Sequence, residues 1–518
     1  MENSVLRAVE VLQKFNAGSD LSLMRRGIEK ESLRVNQDGT IAQTRHPLAL
    51  GSALTHPYIT TDYSEALVEL VTPACSSVRD TLNFLDSLHH FVVRNIESEA
   101  LWATSMPCII KGERSIPIAE YGISNIGKMK HVYRVGLSHR YGRLMQSISG
   151  IHFNFSLGDD FWLQWRTIKK SADELVDFKS KCYFALIRNF YRNLWVVLYL
   201  YGASPAVCNS FLYGRNHDLE DFGRGTFYLP NSTSLRMGNL GYQSDVQTSI
   251  EIDFENIDLY CQSLVNATKT VYPKYEAIGV RDGKDYQQLN ANLLQIENEY
   301  YAPIRPKRVA RSGERPTTAL LKRGVEYVEI RCIDIDPFLP SGIDEHGIKF
   351  IELLLIGCLF KDSPSLTKSE MMQLRTFQNK VVSDGRTAST TLPPNFETNL
   401  QDSGTALVTE LRPIASLLDS SGETGYETAL NKQLKKFENP ELTPSAKILA
   451  NMMDRNISFF EFAMTKSTEH KHYFDALQLS QKEKDFLSHE ARNSIHCQTV
   501  LEAADSQSFE EFLNLYYS

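Results

Sequence analysis

The chain has 518 residues, of which 42% are hydrophobic and 23% charged, as in an ordinary globular protein. Its formal net charge of −8 argues against a nucleic-acid-binding protein, which needs an excess of Lys and Arg to neutralise phosphates. The first residues lack the apolar core of a signal peptide, and no apolar stretch is long enough to span a membrane. The eight cysteines contain no C-x-x-C pair. We therefore expect a cytoplasmic protein with reduced thiols, bound to neither membrane nor nucleic acid.

The spacing of apolar residues predicts a mixture of helices and strands that do not alternate regularly. A residue typical of helix N-caps, Ser77, precedes one of the helical patterns. In chain order we predict a helix over 1–16, strands over 27–35 and 64–72, a helix from 78, a strand over 147–157, helices over 163–200 and 252–270, a strand over 323–336 and a helix over 346–360.

This pattern predicts an α+β fold with a largely antiparallel sheet. The sequence contains neither G-x-G-x-x-G nor G-x-x-x-x-G-K-[ST], which disfavours Rossmann and P-loop architectures. All candidate chemistry lies in residues 1–380, which we predict to be the catalytic core. Residues 381–518 are polar and helical, and we predict that they form an extension packed on that core.

Acidic residues stand out in the first two predicted strands. Glu29 and Glu31 are two apart, so they share one face of a strand, where their charges repel unless a cation or water screens them. A solvent-facing strand is the alternative. Glu69 lies inside an apolar run, where a carboxylate is costly unless it is paired or metal-bound. Asp62 precedes this strand in a loop, and simple exposure explains Glu65.

The other two strands add a histidine and a charged pair. His152 lies on the polar face of its strand with Asn154, although a lone histidine is more often a packed core residue. Glu329 and Arg331 share a face of the strand over 323–336. They could be a simple ion pair, or a metal ligand beside an arginine that binds phosphate.

Together these strands predict one sheet face that carries most of the chemistry. Many oxygen ligands with few nitrogens favour Mg²⁺ or Mn²⁺ over zinc. Several such ions on one face suit phosphoryl transfer, and without a P-loop the nucleotide would be held mainly by metal ions and arginines. The predicted face contains Glu29, Glu31, Glu69, His152, Glu329 and Arg331.

At these residues the sequence resembles the type 1 glutamate–cysteine ligase family of proteobacteria. The resemblance is dense from about residue 23 to 380 and looser to the end of the chain. The strings that carry it are long, numerous and specific. They include RGIEKESLRV (26–35), GSALTHPYITTDYSEALVELVTP (51–73), SMPC (105–108), YRVGLSHRYG (133–142), SGIHFNFSL (149–157), YGASPAVC (201–208), TSLRMGNLGY (233–242), LQIENEYYAPIRPKR (294–308) and RGVEYVEIRCIDIDPF (323–338).

The resemblance implies a core like that of glutamine synthetase, with a curved antiparallel sheet that forms a funnel and helices outside. It also implies a reaction. ATP phosphorylates the γ-carboxylate of glutamate, and the amine of cysteine attacks the acyl phosphate to give γ-glutamylcysteine, ADP and phosphate, the first step of glutathione biosynthesis. The implied cofactor is Mg²⁺, for which Mn²⁺ can substitute. The implied partners are the small molecules glutamate, cysteine and ATP, with a monomeric protein.

The family motifs also imply roles for residues. Arg331, with Glu329 beside it, would be catalytic and contact the transferred phosphoryl group, and Arg236 would help to hold glutamate. Tyr63 departs from the family pattern, which has Phe next to the cysteine side chain, and this bears on selectivity for the thiol. The implied metal ligands are Glu29, Glu31, Asp62, Glu69, His152 and Glu329, and the implied cysteine pocket contains Tyr133, Gln146, Tyr242 and Tyr301.

Three other functions are compatible with the same residues. A related carboxylate–amine ligase would use a different amine. A metal-dependent hydrolase would use the same acidic face without ATP. A binding protein that kept the fold without catalysis is disfavoured, because none of the implied ligands is replaced.

Overall fold

The computed structural model describes residues 4–15, 18–107, 109–241, 246–247, 250–311, 313–387, 390–391 and 398–517. Its strands are β1 (Arg25–Val35), β2 (Ile59–Thr61), β3 (Leu67–Val71), β4 (Ala100–Leu101), β5 (Ile151–Ser156), β6 (Ala206–Cys208), β7 (Glu220–Gly223), β8 (Thr226–Tyr228), β9 (Arg281–Asp282), β10 (Asp285–Tyr286), β11 (Ile304–Lys307) and β12 (Tyr327–Ile333).

Helices surround these strands and account for most of the second half of the chain. They are α1 (Ser4–Lys14), α2 (Gly18–Ser22), α3 (Val78–Asn95), α4 (Asn125–Tyr141), α5 (Asp159–Ile168), α6 (Leu175–Tyr201), α7 (Asn209–Leu212), α8 (Ile257–Ala267), α9 (Pro273–Glu276), α10 (Pro316–Arg323), α11 (Glu345–Phe360), α12 (Lys368–Asp384), α13 (Leu400–Ser421), α14 (Tyr426–Glu438), α15 (Pro444–Arg455), α16 (Phe459–Ala476), α17 (Gln481–Ala504) and α18 (Phe509–Tyr517).

The main sheet is antiparallel and open, in the order β11-β12-β5-β1-β3-β2, with β4 paired to one end of β1. Its two faces differ because side chains alternate along each strand. Ile28, Phe153 and Ile330 are completely buried on one face, in the same apolar core as residues of α6 and α11. The other face carries the acidic residues. The predicted α+β class with an antiparallel sheet and outer helices is confirmed.

The predicted elements agree with the structure except at their ends. The side chain of Ser77 accepts a hydrogen bond from the backbone of Asp80, so it caps α3 as predicted. The strand predicted over 64–72 is β3, which begins at Leu67. The residues before it form a turn, in which the Leu67 N–H donates to the Ser64 carbonyl. The helix predicted over 252–270 is shorter and is capped by Asn256. The alternative of a solvent-facing β1 is wrong, since nearly all of its residues are buried.

The helices that follow residue 400 pack around the earlier part of the chain. The helix α13 contacts α1 and α2, α14 contacts α11, and α16 contacts α3. The last helix, α18, contacts α4. This packing suits the predicted C-terminal extension, and the division at residue 380 itself stays a prediction.

The cysteines differ from expectation at one position. Cys208 is disulfide-bonded, so the expectation of reduced thiols is wrong there, because sequence spacing does not reveal which cysteines the fold brings together. Among the described ranges, no helix has the length and hydropathy needed to cross a membrane. The described cysteines with free thiols are Cys75, Cys182, Cys261, Cys332, Cys358 and Cys497.

We expect a buried ion pair between β1 and α11 to matter for stability. Arg26 Nε lies 2.5 Å from Glu352 Oε1, and neither side chain is exposed to solvent. The Glu352→Gln substitution leaves the guanidinium without its carboxylate, so it should lower the free energy of unfolding by about 3 kcal/mol. Urea denaturation followed by circular dichroism measures this, and an unchanged midpoint would contradict it.

Candidate active site

A cavity of about 430 Å³ lies over the acidic face of the main sheet. Its floor is formed by side chains of β1, β3, β5, β11 and β12, and its walls include residues of α4, α6 and α12. Register explains why the acids meet there. Glu31 pairs with Glu69 across β1 and β3, and Glu29 pairs with His152 across β1 and β5. Directly paired residues of neighbouring strands lie on the same face.

Two groups of possible metal ligands share His152. In the first group, His152 Nδ1 lies 3.1 Å from Glu29 Oε2 and 3.7 Å from Glu329 Oε1. In the second, His152 Nε2 lies 3.6 Å from Glu31 Oε1, and Glu69 completes the group. Within each group one ligand atom per residue lies within 4.8 Å of the others. Five of the six predicted ligands are therefore adjacent.

Asp62, the sixth predicted ligand, lines the cavity but belongs to neither group. It lies in the loop between β2 and β3, and its backbone carbonyl accepts hydrogen bonds from the Tyr121 hydroxyl, at 2.8 Å, and from the Arg134 guanidinium. These bonds fix the backbone and leave the carboxylate facing the cavity beside Glu31 and Glu69, whose pKa values its charge raises.

Burial and mutual repulsion affect the carboxylates unequally. Burial raises the pKa of Glu69 well above its ordinary value, and nearby negative charges, Glu29 first, raise it further. Burial also raises the pKa of Glu329, but Arg331 and Lys307 outweigh it and hold the value well below normal. In the part of the chain that the structure describes, the Glu69 side chain has no ion pair or hydrogen bond. An additional cation would relieve this repulsion.

The donor set fits a divalent cation that prefers oxygen. Carboxylates outnumber the single imidazole, and a half-buried carboxylate among like charges, such as Glu69, is costly without a cation. Mg²⁺ and Mn²⁺ prefer such ligands, whereas structural zinc sites use mainly Cys and His. The two groups around His152 are therefore candidate sites for Mg²⁺ or Mn²⁺.

Basic side chains line the cavity beside the acids. Arg331 Nη1 lies 2.9 Å from Glu329 Oε1, and Lys307 Nζ lies 3.3 Å from Glu329 Oε2. Arg236 lies 3.5 Å from Asp334 and donates a hydrogen bond to the Arg331 carbonyl at 2.9 Å. Cations adjacent to a possible metal site are suited to binding phosphate oxygens.

The predicted substrate residues are not all in the wall. Tyr63, Tyr133, Tyr301 and Arg236 line the cavity. Gln146 lies behind the wall, where its Nε2 donates a hydrogen bond to the Tyr301 hydroxyl at 2.7 Å. Tyr242 lies outside the described residues.

Several cavity residues were missed at the sequence level. Asn154 does not line the cavity itself, but it donates to Glu29 Oε1 at 2.8 Å, and strand alternation predicts its place on the polar face without indicating a role. Arg305 and Lys307 alternate across Pro306 in β11, and this alternation is the signal in the sequence that places both side chains on one face. Lys130 and Arg134 also line the cavity, and nothing in the sequence shows which face of α4 is turned towards it.

Glu65, His89 and His90 lie outside the cavity wall. Glu65 is buried rather than exposed, because its two oxygens accept hydrogen bonds from the backbone of His46 and Glu120. His89 stacks on the Phe474 ring.

Carboxylates and basic side chains are gathered over one sheet face, an arrangement that suits phosphoryl transfer. The sequence model of the family described as Glutamate-cysteine ligase matches residues 9–381. The chain belongs to this family. It is 48% identical to glutamate–cysteine ligase of Alcanivorax borkumensis over 516 residues, covering 98% of each chain. It is 46% identical to that of Hahella chejuensis over 498 residues, covering 95% of each.

Solved structures agree with this assignment. Glutamate–cysteine ligase of Francisella tularensis, solved in complex with AMP, has a TM-score of 0.89 and 35% identity, with 95% of this chain and 97% of that one covered. A bifunctional glutathione synthetase of Pasteurella multocida shares the fold, with a TM-score of 0.73 over 95% of this chain and 58% of that one, at 24% identity.

The predicted activity is confirmed by these findings. The protein is an ATP-dependent ligase that joins the γ-carboxylate of glutamate to the amine of cysteine, and γ-glutamylcysteine is the first intermediate of glutathione biosynthesis. The two relatives match over nearly their full length, so the assignment covers the C-terminal helices as well as the sheet.

We expect Glu69 to destabilise the metal-free protein. A carboxyl with a raised pKa binds its proton more tightly in the folded state, so stability falls as the pH rises from the ordinary pKa of 4.5 towards the raised one. With excess chelator, the Glu69→Gln variant should therefore unfold at a higher temperature than wild type near neutral pH. This difference in unfolding temperature should become smaller as the pH is lowered. Calorimetry measures this.

The matched control is Glu65→Gln on the same segment. Its carboxylate accepts two backbone hydrogen bonds, so the substitution should lower the unfolding temperature instead. If both variants shift the same way, the attribution to repulsion at Glu69 is wrong.

Proposed function

We propose that both steps of the ligation take place over the acidic face of the sheet. The observation that carries this proposal is the pair of ligand groups sharing His152, with Arg331 and Lys307 beside them. The proposed metal ligands are Glu29, Glu31, Asp62, Glu69, His152 and Glu329.

We propose Mg²⁺ as the cofactor, with Mn²⁺ able to replace it, and ATP as the phosphoryl donor. AMP in the Francisella relative supports a nucleotide at this site. Bound divalent cations would neutralise the triphosphate and the charge that develops on the transferred group. The protein's own basic residues act alongside them, since Arg305, Lys307 and Arg331 reach the same cavity.

In the first step an oxygen of the glutamate γ-carboxylate attacks the γ-phosphorus of ATP, and the bond to ADP breaks. Arg331 contacts the transferred group, and Glu329 orients its guanidinium from 2.9 Å. Arg236, fully buried, is held by Asp334 and the Arg331 carbonyl, and it binds glutamate. A carboxylate is a poor electrophile, and conversion to the acyl phosphate supplies a leaving group.

In the second step the cysteine amine attacks the acyl carbon and phosphate departs. The acyl phosphate must meet the amine before water, which requires an enclosed pocket. Tyr133 and Tyr301 supply hydroxyl groups without adding charge, and Gln146 orients the Tyr301 hydroxyl from behind. Tyr63 is buried in the same wall and bears on selectivity for the thiol. Tyr242 is proposed for this pocket from the family motif alone.

We propose that the protein acts as a monomer in the cytoplasm on small-molecule substrates. The described residues proposed for both steps lie in or beside one cavity of a single chain, which supports this proposal.

Replacing Arg331 tests the phosphoryl contact. Arg331→Lys exchanges a fork of donors for a point charge, so kcat should fall by about 100-fold or more. Glu329→Gln should lower kcat strongly as well, with the fold intact by circular dichroism. ADP release in a coupled assay gives the rates, and near wild-type turnover would remove the residue concerned from the site.

A comparison of amines tests the acceptor. Purified protein with ATP, Mg²⁺ and glutamate should release ADP fastest with cysteine and much more slowly with alanine, serine or 2-aminobutyrate, because the pocket is shaped for this side chain. The same comparison of amines on Tyr63→Phe, which restores the residue of the family pattern, shows how the Tyr63 hydroxyl affects selectivity. Comparable turnover with every amine would contradict cysteine selectivity, and substrate turnover without ATP would indicate a hydrolase.

A further inference from the structure

A second pair of buried charges lies directly behind the cavity wall. Arg140 Nη1 is 3.0 Å from Glu299 Oε1, and neither side chain has any solvent exposure. Neither residue lines the cavity. The pair joins the C-terminal end of α4 to a short 3₁₀ helix, Glu297–Glu299, that leads into the cavity wall.

Both elements present tyrosines to the cavity. Tyr133 lies seven residues before Arg140 on α4, two helical turns away on the same face. Tyr301 follows Glu299 by two residues. The ion pair therefore connects the two backbone segments that carry these tyrosines.

The two carboxylate oxygens of Glu299 bind different segments. Oε1 accepts from Arg140 and from the Tyr141 hydroxyl, at 3.0 and 2.9 Å. Oε2 accepts from the backbone N–H of Gln295 at 2.6 Å. The side chain of Gln295 in turn donates to the Tyr133 carbonyl at 3.1 Å. All three donors approach oxygens that carry no hydrogen, so a neutral amide could not satisfy them together.

Gln247 extends this network to Tyr301. Its Nε2 donates to the Tyr141 hydroxyl at 2.8 Å and to the Glu299 carbonyl at 3.0 Å, and its Oε1 accepts from the Tyr301 N–H at 3.1 Å. The Tyr141 and Tyr301 rings meet edge to face, 5.7 Å apart. The position of Tyr301 is thus tied to Glu299 through Gln247 and Tyr141.

A buried ion pair adds little net stability, because desolvation of the two charges offsets their attraction. Its main effect is geometric, since several donors must converge on one carboxylate. We propose that Glu299, paired with Arg140, is a positioning residue that sets the affinity for cysteine by holding Tyr133 and Tyr301 in the cavity wall. This rests on the proposed function, in which those two tyrosines contact cysteine.

The test is steady-state kinetics on Glu299→Gln in the full-length protein, with cysteine, glutamate and ATP varied separately. The amide keeps the shape but places an N–H against one of the three donors. We expect the KM for cysteine to rise about tenfold, while the KM values for glutamate and ATP stay within about twofold of wild type. A cysteine KM within twofold of wild type overturns the proposal, and so does an equal rise in all three KM values.

The control is Glu352→Gln, another fully buried acid paired with an arginine. It lies on α11, away from the cavity wall, so it should lose stability without changing any KM. If it raises the KM for cysteine as much as Glu299→Gln does, the effect is general destabilisation and the proposal is wrong.

Two more variants complete the design. If Glu299→Gln does not fold, Tyr141→Phe removes one donor from the same carboxylate and should raise the KM for cysteine by about threefold, and no change overturns the proposal. Tyr301→Phe tests the underlying assignment. If Tyr301→Phe leaves the KM for cysteine unchanged, the proposed cysteine pocket itself is refuted. If Tyr301→Phe raises that KM but Glu299→Gln does not, only the positioning role of Glu299 is refuted.

Discussion

The structure depends on a set of like charges held together on one buried face of an antiparallel sheet. Register across three strands places Glu31 opposite Glu69 and Glu29 opposite His152. Their repulsion is partly offset by His152 and Arg331, but Glu69 has a strongly raised pKa. A face of this kind is suited to a cation, which would relieve the repulsion. The opposite face of the sheet is apolar and packs on α6 and α11, and this packing offsets the unfavourable repulsion among the carboxylates.

The sheet supplies the floor of the cavity, whereas the walls come from distant parts of the chain. The helix α4 presents Tyr133 to the cavity, and its other side packs against Leu513 of α18 near the end of the chain. The segment with Tyr301 is joined to the same helix through Glu299. The positions of Tyr133 and Tyr301 in the cavity wall therefore depend on contacts that lie behind it.

Three arginine–glutamate pairs lie at different places relative to the cavity. Arg26 and Glu352 join a strand to a helix in the core, far from the cavity, and contribute to the fold. Arg140 and Glu299 have the same composition and burial, yet they lie against the substrate wall. Arg331 and Glu329 lie in the cavity itself, where one side of the guanidinium remains available to a ligand. The three pairs therefore differ in their position relative to the cavity.

Residue order alone determined the polar face, because alternation along β1, β5 and β12 is a local property of extended chains. The family motifs then named the reaction and added Asp62, Arg236 and three tyrosines of the cavity wall. Tertiary structure decided the rest. Only strand order could show that His152 joins two ligand groups, and only helix packing could turn Lys130 and Arg134 inwards. The Arg140–Glu299 pair spans 159 positions, so no local pattern could reveal it. Long-range pairing depends on the whole folded chain.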